Sequence, residues 1–101
     1  MDTNVMVSGS AATLKLAGRF DFKAHREFRE AVEKLLEQAA GKAVEVNMAD
    51  VSYLDSSALG MLLMLRDKAK AASREVSLVG VNGNVRQVLD IANFSKLFTI
   101  N

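Results

Sequence analysis

The feature that most restricts how this chain can fold is the repeated change in its hydrophobic period. Val5 and Val7, then Ala12, Leu14 and Leu16, follow a two-residue period on either side of Ser8-Gly9-Ser10, which reads as two strands joined by a turn. From Lys23 the spacing becomes helical. Ala24, Phe28, Ala31, Val32, Leu35, Leu36 and Ala39 share one face, and Arg26, Glu27, Arg29, Glu30, Glu33, Lys34 and Glu37 share the other, with Gly41 as a stop. Val44, Val46 and Met48 then alternate with Glu45 and Asn47 as a third strand, and Ala49 to Leu54 reads as a connection. A second helix is expected from Asp55 or Ser56 to about Ala72, a strand over Glu75 to Val79, and a helix capped by Asn84 that carries Val85, Val88, Leu89 and Ala92. Phe94 to Ile100 closes the chain, with a short last strand left open.

The order is therefore ββαβαβα(β). Strands that alternate with helices favour parallel crossovers, so the expected fold is α/β, a mixed β-sheet of four to five strands flanked by α-helices. The 101 residues suit one small domain, and 50% hydrophobic content is enough for a compact core. With no proline, no internal repeat and no linker-like tract, residues 1–101 read as a single domain.

Composition removes several function classes. Thirteen basic against twelve acidic residues leave a net charge of +1, too small a field to draw in nucleic acid or an anionic membrane. The charged face of the first helix mixes both signs, as a solvated helix does. Without cysteine there is no thiolate metal site, disulfide or thiol nucleophile, and one histidine, His25, cannot build a multi-histidine centre. No metal or other cofactor is expected. The start of the chain lacks the charged and apolar segments of a signal peptide, and the longest apolar run, Ala58 to Leu65, is broken by Gly60 and far too short to span a bilayer. A cytoplasmic protein with no membrane insertion is the expectation.

The most informative stretch is Val51-Ser52-Tyr53-Leu54-Asp55-Ser56-Ser57-Ala58-Leu59-Gly60, which places hydroxyls at a helix N-terminus. Unpaired backbone N–H groups and the positive end of the helix dipole favour an anion there, so a phosphate on Ser56 or Ser57 would be held without a basic pocket. The alternative reading is that Asp55, Ser56 or Ser57 only caps the helix. On a helical wheel Ala58, Leu59, Leu62, Leu63, Leu65 and Ala69 form the arc expected to face the sheet. Ser57, Gly60 and Met64 fall opposite, with Met61 at the edge. That second arc is either a protein-docking surface or is covered by another part of the chain.

Ser56, an aspartate and His25 are nominally the parts of a nucleophilic triad, but no Gly-x-Ser-x-Gly elbow surrounds Ser56 and His25 lies on the polar side of its helix. No Gly-x-x-x-x-Gly-Lys phosphate loop is present either. The chain reads as a binding protein and not as an enzyme.

The run Tyr53-Leu54-Asp55-Ser56-Ser57-Ala58-Leu59-Gly60, with Gly18-Arg19-Phe20-Asp21 upstream and Val85-Arg86-Gln87-Val88-Leu89 downstream, resembles the STAS domain of bacterial anti-sigma factor antagonists. The resemblance covers essentially the whole chain. It implies partner switching: the unphosphorylated antagonist binds an anti-sigma factor that is also a serine kinase, phosphorylation breaks the complex, and a metal-dependent serine phosphatase restores binding. By position the phosphoacceptor is Ser56, flanked by Asp55 and Asp21, and Ser57, Gly60, Met61 and Met64 from the second arc of the wheel complete the expected partner-binding set. Ala58 stands where many members have glycine, and Arg19 where many have glutamate. The nearest likeness, in Gly18-Arg19-Phe20-Asp21-Phe22 and Leu59-Gly60-Met61-Leu62-Leu63, is to proteobacterial members that govern motility, surface attachment or biofilm. Other small STAS proteins are accessory subunits of membrane transporters, so a constitutive interaction module is the competing expectation.

Overall fold

A five-stranded sheet in the order β1-β2-β3-β4-β5 forms the frame of the computed structural model, which describes residues 1–9, 11–38 and 43–100. The strands are β1 (Asp2–Ser8), β2 (Ala11–Phe20), β3 (Ala43–Leu54), β4 (Val76–Val79) and β5 (Thr99–Ile100). The first pair is antiparallel and every later pair is parallel, so the sheet is mixed and the optional last strand is present. Helices α1 (His25–Gln38), α2 (Ser56–Ala71) and α3 (Gly83–Ile91) make the three crossovers that parallel pairing demands. The Gly41 stop and Ala39 lie outside the described residues.

The strand register explains the core. Ala12 pairs with Val44, Leu14 with Val46, Val44 with Val76 and Val46 with Leu78, so the buried residues of three strands share one sheet face. Helix α1 presents Phe28, Ala31, Val32 and Leu35 to the core, packs on β1 and β2, and contacts α2. The Phe20 and Phe28 rings, 5.0 Å apart, tie the end of β2 to α1. The intervening strand positions, among them Thr13, Lys15, Glu45, Asn47 and Ser77, are half-exposed, and Lys15 reaches Asp50 at 3.3 Å.

Three sequence expectations change. Ala49–Leu54 is not a connection but the second half of β3, because register shifts between Lys15 and Ala17 and between Gly18 and Arg19 let pairing with β2 resume after the alternation breaks. Burial along that half runs Met48, Val51, Leu54, a spacing of three that no regular strand shows. Asn84 does not cap α3: Asn82 holds the N-cap position, and its side-chain amide donates to the Gly80 carbonyl at 3.1 Å instead of receiving a helix N–H. Between β2 and α1, Phe22–Ala24 forms a separate 3-10 turn, so the α-helix starts at His25 and not at Lys23.

Candidate functional site

Parallel pairing brings the C-terminal ends of β2 and β3 side by side, and the chain leaves each of them into a capped helical turn. The Asp55 N–H donates to the Phe20 carbonyl at 3.3 Å, which ties the two exits together. Asp21 accepts the Lys23 N–H at 3.1 Å and caps the 3-10 turn, whereas Asp55 accepts the Ala58 N–H at 3.0 Å and caps α2. The capping reading is therefore correct for Asp55, not for the serines. Ser56 and Ser57 are the first two residues of α2, and both are exposed. Each carries its hydroxyl where the helix dipole is positive and the first backbone N–H groups have no intrahelical acceptor.

Arg19 complicates this acidic edge. Its guanidinium lies 4.2 Å from the centre of the Tyr53 ring, its cross-strand neighbour, and its Nε is 3.6 Å from Asp21 Oδ2. A cation held by a ring and a carboxylate thus stands two residues before one capping aspartate and beside the strand that leads to the other. The side chain is 65% exposed, so the ion pair itself is weak.

Downstream, Gly60 is exposed, and a Cβ added there would meet nothing within 4 Å. Met64 is half-buried against the core. Met61 is only 4% exposed and belongs to the core, which removes it from the expected docking set. The inward arc of α2 is Ala58, Met61, Leu62, Leu65 and Ala69, while Leu59 and Leu63 are only partly covered. The arc is rotated toward Met61 relative to the wheel drawn from sequence.

Two residues at this edge went unnoticed as surface in the sequence. Phe22 is 65% exposed and Tyr53 37% exposed, both large aromatics next to the capping aspartates. Phe22 had one signal: it falls off the apolar face that begins at Ala24. His25 is exposed at the start of α1, on the polar side as expected. Among the described residues no group of three His, Cys, Asp or Glu side chains is placed to hold a metal ion, and no helix is long and apolar enough to cross a membrane.

Comparison with known proteins gives a consistent picture. The family model described as "Mlab, STAS domain" matches residues 3–99. A STAS-domain containing protein of Pseudomonas aeruginosa is 43% identical over 93 residues, 92% of this chain and 90% of its own length. An anti-sigma-B factor antagonist of Staphylococcus epidermidis is 25% identical over 88 residues, 87% of this chain and 81% of its own. Among solved structures, the anti-sigma factor antagonist SpoIIAA in its unphosphorylated form superposes with a TM-score of 0.74 at 21% identity, covering 99% of this chain and 87% of that one. The phosphorylated form of SpoIIAA matches with a TM-score of 0.72 at 20% identity, covering 99% of this chain and 91% of that one. At these identities the structural likeness is one of fold.

Proposed function

The chain belongs to the STAS domain family, and on that footing we propose that it is an anti-sigma factor antagonist that works by partner switching, with Ser56 as the switch. The family acts by binding and regulation, and this chain is not an enzyme. The reading rests on one observation: Ser56 is an exposed hydroxyl on the first residue of a helix whose N-cap is already an aspartate. Unphosphorylated, this edge offers a partner the exposed aromatics Phe22 and Tyr53, the open backbone at Gly60 and the Asp21 and Asp55 carboxylates. Aromatics are the residues that most often anchor a protein interface.

The partner in this reading is an anti-sigma factor with serine kinase activity, met in the cytoplasm. The kinase transfers the terminal phosphoryl group of ATP to the Ser56 oxygen: the new P–O bond forms as the bond to the bridging oxygen breaks, ADP leaves, and the hydroxyl proton passes to a base of the kinase or to solvent. The product carries about −1.5 to −2 added charge beside Asp55, and a position that docked as a neutral hydroxyl then has to be desolvated as a dianion. A metal-dependent serine phosphatase resets the switch by hydrolysis. The names of the Staphylococcus relative and of SpoIIAA, the latter solved in both phosphorylation states, support the assignment.

The test is a pull-down from the native cell with wild type, Ser56→Ala and Ser56→Asp, followed by phosphosite mapping. The expected outcome is one kinase-like partner captured by wild type and Ser56→Ala and lost with Ser56→Asp. Equal capture by all three variants, or capture of a transporter ATPase, would assign the chain to the constitutive STAS modules instead.

A further inference from the structure

At the other end of α2 from Ser56 lies a cavity of about 390 Å³ in whose lining cations outnumber carboxylates four to one, beside the apolar Val76, Leu97 and Phe98. Arg66 and Lys70 come from the second half of α2, Arg74 and Glu75 from the approach to β4, and Lys96 from the 3-10 turn Phe94–Lys96. Four cations face one carboxylate, a local charge of +3 in a chain whose formal net is +1, so all remaining charges together sum to −2. Almost a third of the thirteen basic residues of the chain thus line one depression.

Helix-dipole compensation explains Lys68 and Lys70 in the last turn of α2, and only Lys70 of these is in the cavity wall. It does not explain Arg66, a turn earlier in α2, or Arg74 and Lys96, which arrive from separate segments. Two of them are built in. Arg74 is only 9% exposed, and its guanidinium donates to the Leu36 carbonyl at 3.3 Å. The Arg66 Nε donates to the Leu97 carbonyl at 2.9 Å, which fixes the guanidinium plane at the wall and leaves its two terminal amino groups for another acceptor. Among the described residues Arg66, Lys70 and Lys96 make no ion pair. Ser95 and Thr99 add hydroxyls to the lining, and Val76, Leu97 and Phe98 add apolar surface.

We infer that this cavity is a binding site for a small soluble molecule with two adjacent phosphoryl groups. Guanidinium forks match phosphoryl oxygens geometrically, and ammonium groups add charge without demanding a fixed angle. A cavity of this size holds a compact polyanion, and more of its lining is polar than apolar. The concave shape and the Arg66 guanidinium fixed at the wall favour a dense tetrahedral oxyanion over the flexible carboxylates of an acidic peptide.

The experiment is a titration of the 15N-labelled full chain with inorganic pyrophosphate at constant ionic strength, followed by amide chemical shifts, with sulfate as the control salt. The expected result is saturable shifts confined to residues 66–76 and 95–99 with a Kd tighter than about 1 mM. A Lys70→Glu/Lys96→Glu variant should weaken the Kd at least about tenfold while its spectrum elsewhere stays unchanged, because both lysines are exposed, and its melting temperature should fall by no more than the several degrees that a reversed charge at the C-terminus of α2 costs. No saturation, shifts that sulfate reproduces, or equal binding by the double variant would overturn the assignment. So would an oligoaspartate peptide that saturates the same amides more tightly than pyrophosphate, since the site would then belong to an acidic protein partner.

Discussion

Gly60→Ala separates stability from docking at the same atom. Gly60 lies inside α2 with an ordinary helical backbone and is absent from the glycines with positive φ, so alanine fits without strain. An added Cβ meets no atom within 4 Å, so no steric cost offsets the gain. Replacing an interior helical glycine by alanine should stabilise the protein by about 1 kcal/mol, mainly by restricting the unfolded chain. For a domain of this length that raises the melting temperature by about 4–8 °C, readable by circular dichroism. Binding should move the other way. If the partner backbone packs on the bare Gly60 surface, a methyl group there forces the two surfaces apart, and calorimetry should show affinity reduced by about tenfold, 1.4 kcal/mol. A stabilised variant with unchanged affinity would refute the docking role of Gly60. A destabilised one would refute the helical geometry from which the gain was worked.

The two methionines of α2 make a paired test of the rotated arc: Met61→Ala should cost about 2–4 kcal/mol in urea denaturation and Met64→Ala roughly 1 kcal/mol, and equal costs would contradict the burial difference. Asp55→Ala removes the cap on the Ala58 N–H and should cost about 1 kcal/mol, while Asp55→Asn keeps an acceptor and should recover most of it; identical losses would mean that the charge, and not the hydrogen bond, stabilises the helix start. Tyr53 is the one tyrosine of a chain without tryptophan, so its emission reports on this edge alone. Arg19→Ala should change that emission while costing under about 1 kcal/mol of stability, and an unchanged spectrum would deny the contact between guanidinium and ring.

The alternating periods carried most of the fold: β1, β2, the first half of β3, β4 and the three α-helices coincide with segments read as that type, whereas the second half of β3 read as a connection and β5 was left open. The failures cluster where a local rule was locally broken. Two register shifts in the β2–β3 pairing let buried positions fall three apart, and a reader who expects alternation sees only a loop between Ala49 and Leu54. The difference between Asn82 and Asn84 is set by where the backbone turns from extended at Asn82 to helical from Gly83 on, which hydrophobic spacing does not encode. The Asp55-Ser56-Ser57 segment was legible because strand exit, cap and hydroxyls are contiguous. Phe22 and Tyr53 were not, since an exposed aromatic becomes recognisable only when the segments packed around it are placed. The basic cavity was invisible for a related reason: Arg66, Lys70, Arg74 and Lys96 span thirty residues and meet only because β5 returns beside β4.

Helix α2 joins Ser56 to the cationic cavity, and distance decides whether the two ends sense each other. At 1.5 Å per residue, Arg66 lies about 15 Å and Lys70 about 21 Å along the helix from Ser56. Two unit charges 21 Å apart in water interact by about 0.2 kcal/mol, so a phosphate of charge −2 and a cavity of +3 would couple by about 1.2 kcal/mol if unscreened. With a Debye length of about 8 Å at physiological salt, little more than about 0.1 kcal/mol of that survives. A change of this size alters affinity by less than about 1.3-fold, so Ser56→Asp should leave the pyrophosphate Kd of the cavity within about 1.5-fold of wild type at 150 mM salt. Lowering the salt to about 10 mM, where the Debye length grows to about 30 Å, should make the phosphomimetic weaken pyrophosphate binding measurably, because its negative charge offsets part of the cavity's positive potential. A several-fold effect of Ser56→Asp that persists at high salt would rule out a through-solvent origin. It would require α2 itself to have two packing states that both ends bias, which is the condition for allostery between them.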